Sequence, residues 1–191
     1  DKVICNSGFT KRFIDKEYGV DSMVVYPPVD VNNFKPLKKE NIILSVGRFD
    51  SSLHAKKQDL MIQIFKKMYQ KELKDWQLVL IGGCSIDQSG YLKKLELLSN
   101  DYPIKIIVNA SFRTLKEYYG KAKIYWHAAG FGVDREKEPE KVEHFGMTTV
   151  EAMAAGCVPI VISAGGQPEI VEHHRNGFLW KTEKELIDLT L

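Results

Sequence analysis

Two glutamates bracket the densest chemistry of this chain. Residues 143–151 read EHFGMTTVE and continue as AMAAGCVPIV, so Glu143 and Glu151 stand eight positions apart around a glycine and two threonines. A helix starting there presents free backbone N–H groups, which attract anions, and Gly146 lets a ligand come close to the backbone. A carboxylate just before that start, and another one turn inside it, can accept hydrogen bonds from hydroxyls on either side of the anion. An anion flanked by hydroxylated rings has the chemistry of a nucleotide sugar: sugar, diphosphate, ribose. The same residues also fit a plainer account. In it Glu143 ends the solvated charge run DREKEPEKVE, and Glu151 merely favours the first turn of a helix.

Two cations add weight to the first account. The apolar run Ile42–Val46 leads into Gly47-Arg48-Phe49, and eight positions beyond Arg48 the segment KKQDL opens a long helical pattern at Lys56. Arg48 and Lys56 would both sit at the carboxyl end of one strand, where open α/β sheets bind ligands. There they can neutralise a diphosphate, the arginine bidentately. Taken singly each reads as a solvated surface charge; the argument rests on their position.

Other chemistries lack their residues. There is no Walker-type phosphate loop, and Gly130-Phe131-Gly132 runs on into Val133, Asp134 and Arg135 without completing a GxGxxG. No Asp-x-Asp pair offers itself to a metal, and His173 and His174 are adjacent, so a helix would point them about 100° apart. The expectation is a site with no metal and no cofactor beyond its substrate.

The elements that must position these residues follow from periodicity. Short apolar, β-branched runs at Ile42–Val46, Gln77–Ile81, Ile104–Val108, Lys123–His127, Val158–Ile162 and Phe178–Trp180 alternate with amphipathic stretches. The stretches are Lys56–Leu73, Tyr91–Ser99, Thr114–Tyr119 and Thr148–Ala155, the last closed by Gly156. A final helix opens at Thr182, with Glu185 completing a capping box. That alternation predicts an α/β fold: a Rossmann-like, doubly wound, mostly parallel six-stranded sheet between residues ~40 and ~180. Trp126 and Trp180 read as core.

Residues 1–37 are different in kind. VICNS reads as a strand ending in an N-cap at Ser7, Phe9–Tyr18 as a helix stopped by Gly19, and MVVYPPVDVNNFKP as a strand running into a proline-punctuated linker. We therefore divide the chain into 1–37, the end of an N-terminal domain plus linker, and 38–191, a C-terminal domain, the whole being a piece of a longer protein. With 27 Lys+Arg against 25 Asp+Glu the net charge is +2, which argues against nucleic acid as a partner. No apolar run approaches the ~18 residues of a membrane span. Cys5, Cys84 and Cys157 read as reduced thiols, and with no leader segment apparent a cytoplasmic location is expected. Lys11, Arg12, Lys66 and Lys67 are the thin basis for peripheral contact with the inner face of a membrane.

The ordered set of segments resembles the retaining, group 1 (family four) glycosyltransferases of the two-domain GT-B fold. VICNSGFTKRFI is similar to the end of that family's first domain, VYPPVDVNNFKP to its linker, and ILSVGRF with KKQDLMIQIF to the opening of its second domain. IGG is similar to its second strand, and EHFGMTTVEAMAAGCVPIVISAGGQPEIVEHHRNGFLW to its signature region. Two departures stand out: the run WHAAGFGVDREKEPEKVEHFG is longer than the family's loop, and Lys57 stands where the family commonly has glycine.

The resemblance implies roles. Arg48, Lys56 and Glu143 would form the catalytic set, the two cations holding the diphosphate and Glu143 the donor-sugar hydroxyls. Glu151 would take the ribose. Gly82 and Gly83 would give backbone clearance, Gly47 would border the donor, Ala110 and Ser111 would lie against the base, and His144, Phe145, Gly146, Met147 and Thr148 would meet sugar and phosphates. Gly165-Gly166-Gln167-Pro168-Glu169 would form a turn and helix start at the cleft rim. His127 reads as a packed strand-end histidine, with contact to the donor sugar as the other possibility. The implied activity is transfer of a sugar from a nucleoside diphosphate sugar, GDP-mannose mildly preferred, to a glycan or lipid-linked acceptor held by the N-terminal domain, so that this piece binds donor without turning it over. A nucleotide-sugar epimerase, a phosphorylase or a non-catalytic nucleotide-binding module on the same scaffold are the alternatives.

Overall fold

The computed structural model describes residues 2–52 and 55–191. Six parallel strands form the main sheet: β3 (Glu40–Val46), β4 (Gln77–Gly82), β5 (Ile104–Val108), β6 (Ala122–His127), β7 (Val158–Ile162) and β8 (Phe178–Trp180). Their spatial order is β5-β4-β3-β6-β7-β8, with β3 joining the two halves by pairing Ile43 to Leu78 on one side and to Ile124 on the other. The α/β, doubly wound architecture is the expected one. Ahead of it, β1 (Ile4–Cys5) and β2 (Met23–Val24) make a separate two-stranded parallel sheet around α1 (Gly8–Tyr18), so no strand from residues before 37 enters the main sheet.

Alternation along the strands builds two cores. Ile43, Leu78, Leu80, Trp126, Ile160 and Ile162 face α2 (Gln58–Lys71), α3 (Ser89–Ser99) and α7 (Glu183–Thr190). Their neighbours Leu44, Val79, Ile81, Tyr125 and Val161 face the other way, against α4 (Phe112–Lys121), α5 (Met147–Ala154) and α6 (Gln167–Ile170). Trp126 and Trp180 are fully buried, and the Trp126 indole N–H donates to Thr190.

Local chemistry sets the helix ends. Ser7 caps α1 and Ser111 caps α4, each accepting an N–H three residues on, and Thr182 with Glu185 forms a reciprocal capping box on α7. Gly19 and Gly156 take left-handed conformations just past their helices. The expected helix from Lys56 is corrected: α2 begins at Gln58, because Lys57 is left-handed (φ 57°) and ends the loop. The end of the linker is tied to the main domain: Phe34 is buried edge-on against Tyr119, and the Lys39 ammonium donates to the carbonyls of Ala122 and Ala155.

A tight approach lies where β3 and β4 end together. A Cβ on Gly82 would stand 2.0 Å from the Gly47 carbonyl oxygen, a backbone atom that cannot swing aside. Gly82→Ala is expected to destabilise the fold by about 1–3 kcal/mol or more through overpacking, read as a lower urea midpoint with an unchanged slope.

Candidate functional site

Strand order reverses between β3 and β6, and open α/β sheets form a crevice at that point, beyond the strands' carboxyl ends. A cavity of about 410 Å³ lies there. Gly47, Arg48, Lys56 and residues 143–148 line it, with Asn6 and Pro27 of the N-terminal segment completing the wall.

Each lining group has a local reason for its place. The left-handed turn at Lys57 leaves Lys56 in the loop, its stem lying across Gly47, where a Cβ would come within 2.7 Å of it. From there the Lys56 ammonium reaches the Glu143 carboxylate at 2.5 Å. Gly165 and Gly166 let the following loop close on residues 143–145: a Cβ on the first would be 1.9 Å from the Glu143 carbonyl oxygen, and on the second 2.4 Å from that of His144. Gly146, at φ 120°, caps α5 and turns the amino end of that helix toward the cavity.

The same Glu143 oxygen that meets Lys56 lies 3.2 Å from His127 Nε2. Burial pushes the His127 pKa down, so the imidazole is neutral at pH 7, and facing a carboxylate it carries its proton on Nε2 and donates it. Its Nδ1 is buried without a partner. Burial alone would raise the Glu143 pKa, but the His127 hydrogen bond and the Lys56 ammonium outweigh it and hold the carboxyl well below the ordinary carboxylate range. Behind this set, Tyr125 donates to the Thr148 hydroxyl at 2.7 Å, and Tyr119 donates to Glu151 at 2.8 Å and to the Thr148 carbonyl at 3.3 Å. Burial pushes the Glu151 pKa up. Thr149 donates to Gln167 Oε1, whose amide nitrogen lies buried against Gly146 with no partner of its own.

Of the residues singled out in the sequence, Gly47, Arg48, Lys56, Glu143, His144, Phe145, Gly146, Met147 and Thr148 line the cavity. Glu151 stands one turn behind, on Tyr119. Gly83 follows β4 and accepts the Phe49 N–H, Ala110 packs with the α4 side of the core, and Ser111 spends its hydroxyl on the Thr114 N–H. These last four lie outside the cavity wall. Sequence reasoning passed over Tyr119, Tyr125, Asn6 and Pro27 as site residues. The only signal for any of them is period-2 alternation, which puts Tyr125 on the same face of β6 as His127.

The 165–169 turn does more than close the cleft rim. Glu169 accepts the backbone N–H groups of Gly8 (2.8 Å) and Phe9 (2.7 Å) and the Tyr26 hydroxyl (3.0 Å). With Ser7 taking the Thr10 N–H, three free donors at the start of α1 are satisfied. Arg12 pairs with Glu136, and the Tyr26 and Phe145 rings stack at 5.4 Å. The long 128–142 run folds into turns and one 3-10 turn, Pro139–Lys141. The four cations noted for membrane contact are engaged elsewhere: Lys11 with Asp15 and Asp21, Arg12 with Glu136, Lys66 with the Leu98 carbonyl, Lys67 with Glu183. Among the described residues no helix is long and apolar enough to cross a membrane.

The profile of the family "Glycosyl transferases group 1" matches residues 30–189. The chain belongs to the group 1 glycosyltransferases. It is 31% identical to a human GDP-Man:Man(3)GlcNAc(2)-PP-Dol alpha-1,2-mannosyltransferase over 207 residues, covering 97% of this chain and 39% of the relative. The corresponding Dictyostelium discoideum protein is 30% identical over 188 residues, covering 89% and 35%. This group 1 glycosyltransferase chain thus spans roughly two fifths of the length of these relatives. Two solved structures share its fold: a glycosyltransferase from Rickettsia africae (TM-score 0.81, 19% identity, 98% of this chain and 52% of that one) and Anabaena HepE in complex with UDP (TM-score 0.79, 21%, 98% and 52%).

Two tests follow from the geometry. A folded-state pKa held below the ordinary 4.5 contributes stability above that pH and loses it as pH falls through the lower folded value. The parent is therefore expected to exceed Glu143→Gln by about 1.5–3 kcal/mol at pH 7, with the gap closing below pH ~4 in urea melts. Glu169→Ala is expected to cost about 1–2 kcal/mol through loss of the α1 cap. It should also speed amide exchange over residues 8–18 while β3 and β6 keep their protection.

Proposed function

We propose that this chain is the donor-binding half of a retaining glycosyltransferase. It holds a nucleoside diphosphate sugar, GDP-mannose by preference, for transfer to a glycan or lipid-linked acceptor. The observation that carries the reading is that Arg48, Lys56 and the amino end of α5 converge on one cavity beside a carboxylate, Glu143. Cations and helix amides suit the diphosphate, and the carboxylate suits sugar hydroxyls. The mannosyl donor named for the human and Dictyostelium relatives supports the sugar preference.

In the reaction, the bond from the sugar's anomeric carbon to the terminal phosphate oxygen breaks as charge grows on that oxygen. Arg48 and Lys56 stabilise that charge, the main contribution the protein makes, and they need no metal to do it. Glu143 is engaged by Lys56 and His127, which favours a contact with donor hydroxyls over covalent attack; the acceptor then approaches on the face the diphosphate leaves. Glu151 would take the ribose, while Gly83, Ala110 and Ser111 would border the base beyond the cavity. The acceptor and its base belong to the N-terminal domain, of which residues 1–37 are the end and linker, 38–191 being the donor domain that by itself turns nothing over. Three free cysteines accord with reaction in the cytoplasm, and the lipid-linked acceptors in the relatives' names with its membrane face.

Calorimetric titration tests this directly. Arg48→Ala and Lys56→Ala are each expected to weaken GDP and GDP-mannose by roughly tenfold to a hundredfold and to spare guanosine, the loss of a charge-assisted contact being worth about 1.5–3 kcal/mol. Glu151→Ala should weaken all three. If both cation variants, still folded by circular dichroism, bind GDP as the parent does, the site is misplaced.

A further inference from the structure

Lys56 and Glu143 set opposite charges 2.5 Å apart on the cavity wall, with the side chains 19% and 20% exposed. A phosphate drawn to Lys56 therefore arrives beside a carboxylate. Two groups meet Glu143 from separate elements, Lys56 from the loop before α2 and His127 from the end of β6, and Arg48 from the loop after β3 lines the same cavity. His127 is buried to 3% exposure and rooted in the sheet, so its N–H fixes the carboxylate instead of letting it swing out to water. The depressed pKa of Glu143 also denies it relief by protonation.

A plain nucleoside diphosphate and its sugar-bearing form differ at that same spot. The first ends in a phosphate oxygen carrying about one further negative charge; the second carries a glycosyl group whose hydroxyls are hydrogen-bond donors. We infer that Glu143, held by His127, is a discriminator: it repels the terminal phosphate of a plain nucleoside diphosphate and accepts hydroxyls from the sugar of the donor. The inference rests on the donor-site reading and adds a role in turnover. When the glycosyl–oxygen bond breaks, the electron pair stays on the terminal phosphate oxygen, while the acceptor hydroxyl oxygen gains the glycosyl carbon and gives its proton to the acceptor-side base of the N-terminal domain. The product thus regains negative charge directly opposite Glu143, and its release is favoured. His127 is the positioning residue of the device and Glu143 the specificity-determining one.

The test is calorimetric titration of the chain with GDP and with GDP-mannose at pH 7. Glu143→Gln keeps the shape and the acceptor for His127 while removing the charge. It is expected to bind GDP roughly three- to tenfold more tightly than the parent and GDP-mannose roughly three- to tenfold more weakly, as removal of one like charge at close range predicts. The gain for GDP should shrink in high salt, because screening weakens the repulsion it relieves. Glu143→Asp retains the charge on a shorter stem and should leave GDP near the parent while weakening GDP-mannose. His127→Asn should narrow the preference from the other side by releasing the carboxylate. GDP binding that is unchanged or weaker in Glu143→Gln, or equally tightened in Glu143→Asp, overturns the inference. If instead the parent binds neither ligand, or Lys56→Ala binds GDP as the parent does, the donor-site reading itself fails and the discriminator falls with it.

Discussion

The ion pair of Lys56 with Glu143 joins segments 87 residues apart in sequence, and much of the local backbone exists to permit it. Lys56 reaches across only because position 47 has no side chain, and Glu143 is delivered only because Gly165 and Gly166 admit its backbone. A charged pair this enclosed gives up hydration on both sides, so its Coulomb gain alone is weak evidence for stability. Its value lies in pointing two oppositely charged groups at one small volume, a geometry that a packed hydrophobic pair could not supply.

The chain's architecture was largely legible before its structure. β-branched runs and amphipathic stretches alternate clearly, and both faces of the sheet are covered, so strands such as Leu78–Ile81 read as continuous apolar segments with little competing pattern. Helix ends were legible where a side chain makes the cap, as at Ser7 and Thr182. They were not legible where backbone conformation decides. Periodicity in KKQDL does not announce that Lys57 adopts φ 57°, a conformation glycine takes freely and an L residue only at a cost, and Lys56 falls outside the helix for that reason. The one hint is that the resembled family commonly has glycine there. The candidate site divides the same way. The EHFGMTTVE segment is contiguous, and its anion-facing character follows from local geometry. Tyr119, Tyr125 and Gln167 reach it only through strand order and loop packing, which no spacing in the sequence encodes.

Glu169 shows how the first 37 residues are tied to the rest. A two-stranded parallel sheet has too little core to stand alone, and here it is anchored from outside by a carboxylate that closes the start of α1. The anchor springs from the same 165–169 loop whose glycines seat Glu143, so the N-terminal segment and the Glu143 carboxylate share one support. Asn6 and Pro27 complete the cavity wall by virtue of that support. A shift of α1 and a change in cavity shape are therefore mechanically linked.

The unpaired polar atoms mark where packing yields to the site. Among the described residues His127 Nδ1, Gln167 Nε2 and Trp180 Nε1 are buried without partners, and two of these three side chains touch the cavity's own framework: His127 on Glu143, Gln167 against Gly146. An unmet buried donor or acceptor costs on the order of 1–3 kcal/mol, and folds seldom tolerate one without reason. At His127 the reason is geometric: with Nε2–H committed to the carboxylate, the other nitrogen is left facing the apolar interior, and no single ring can satisfy both sides there. At Gln167 the carbonyl oxygen is committed to Thr149 in the first turn of α5, which steadies that helix start and leaves the amide nitrogen without a partner beside Gly146. In both cases one end of a side chain orients a cavity residue and the other end forgoes its hydrogen bond, so the stability lost at one end is the counterpart of orientation gained at the other.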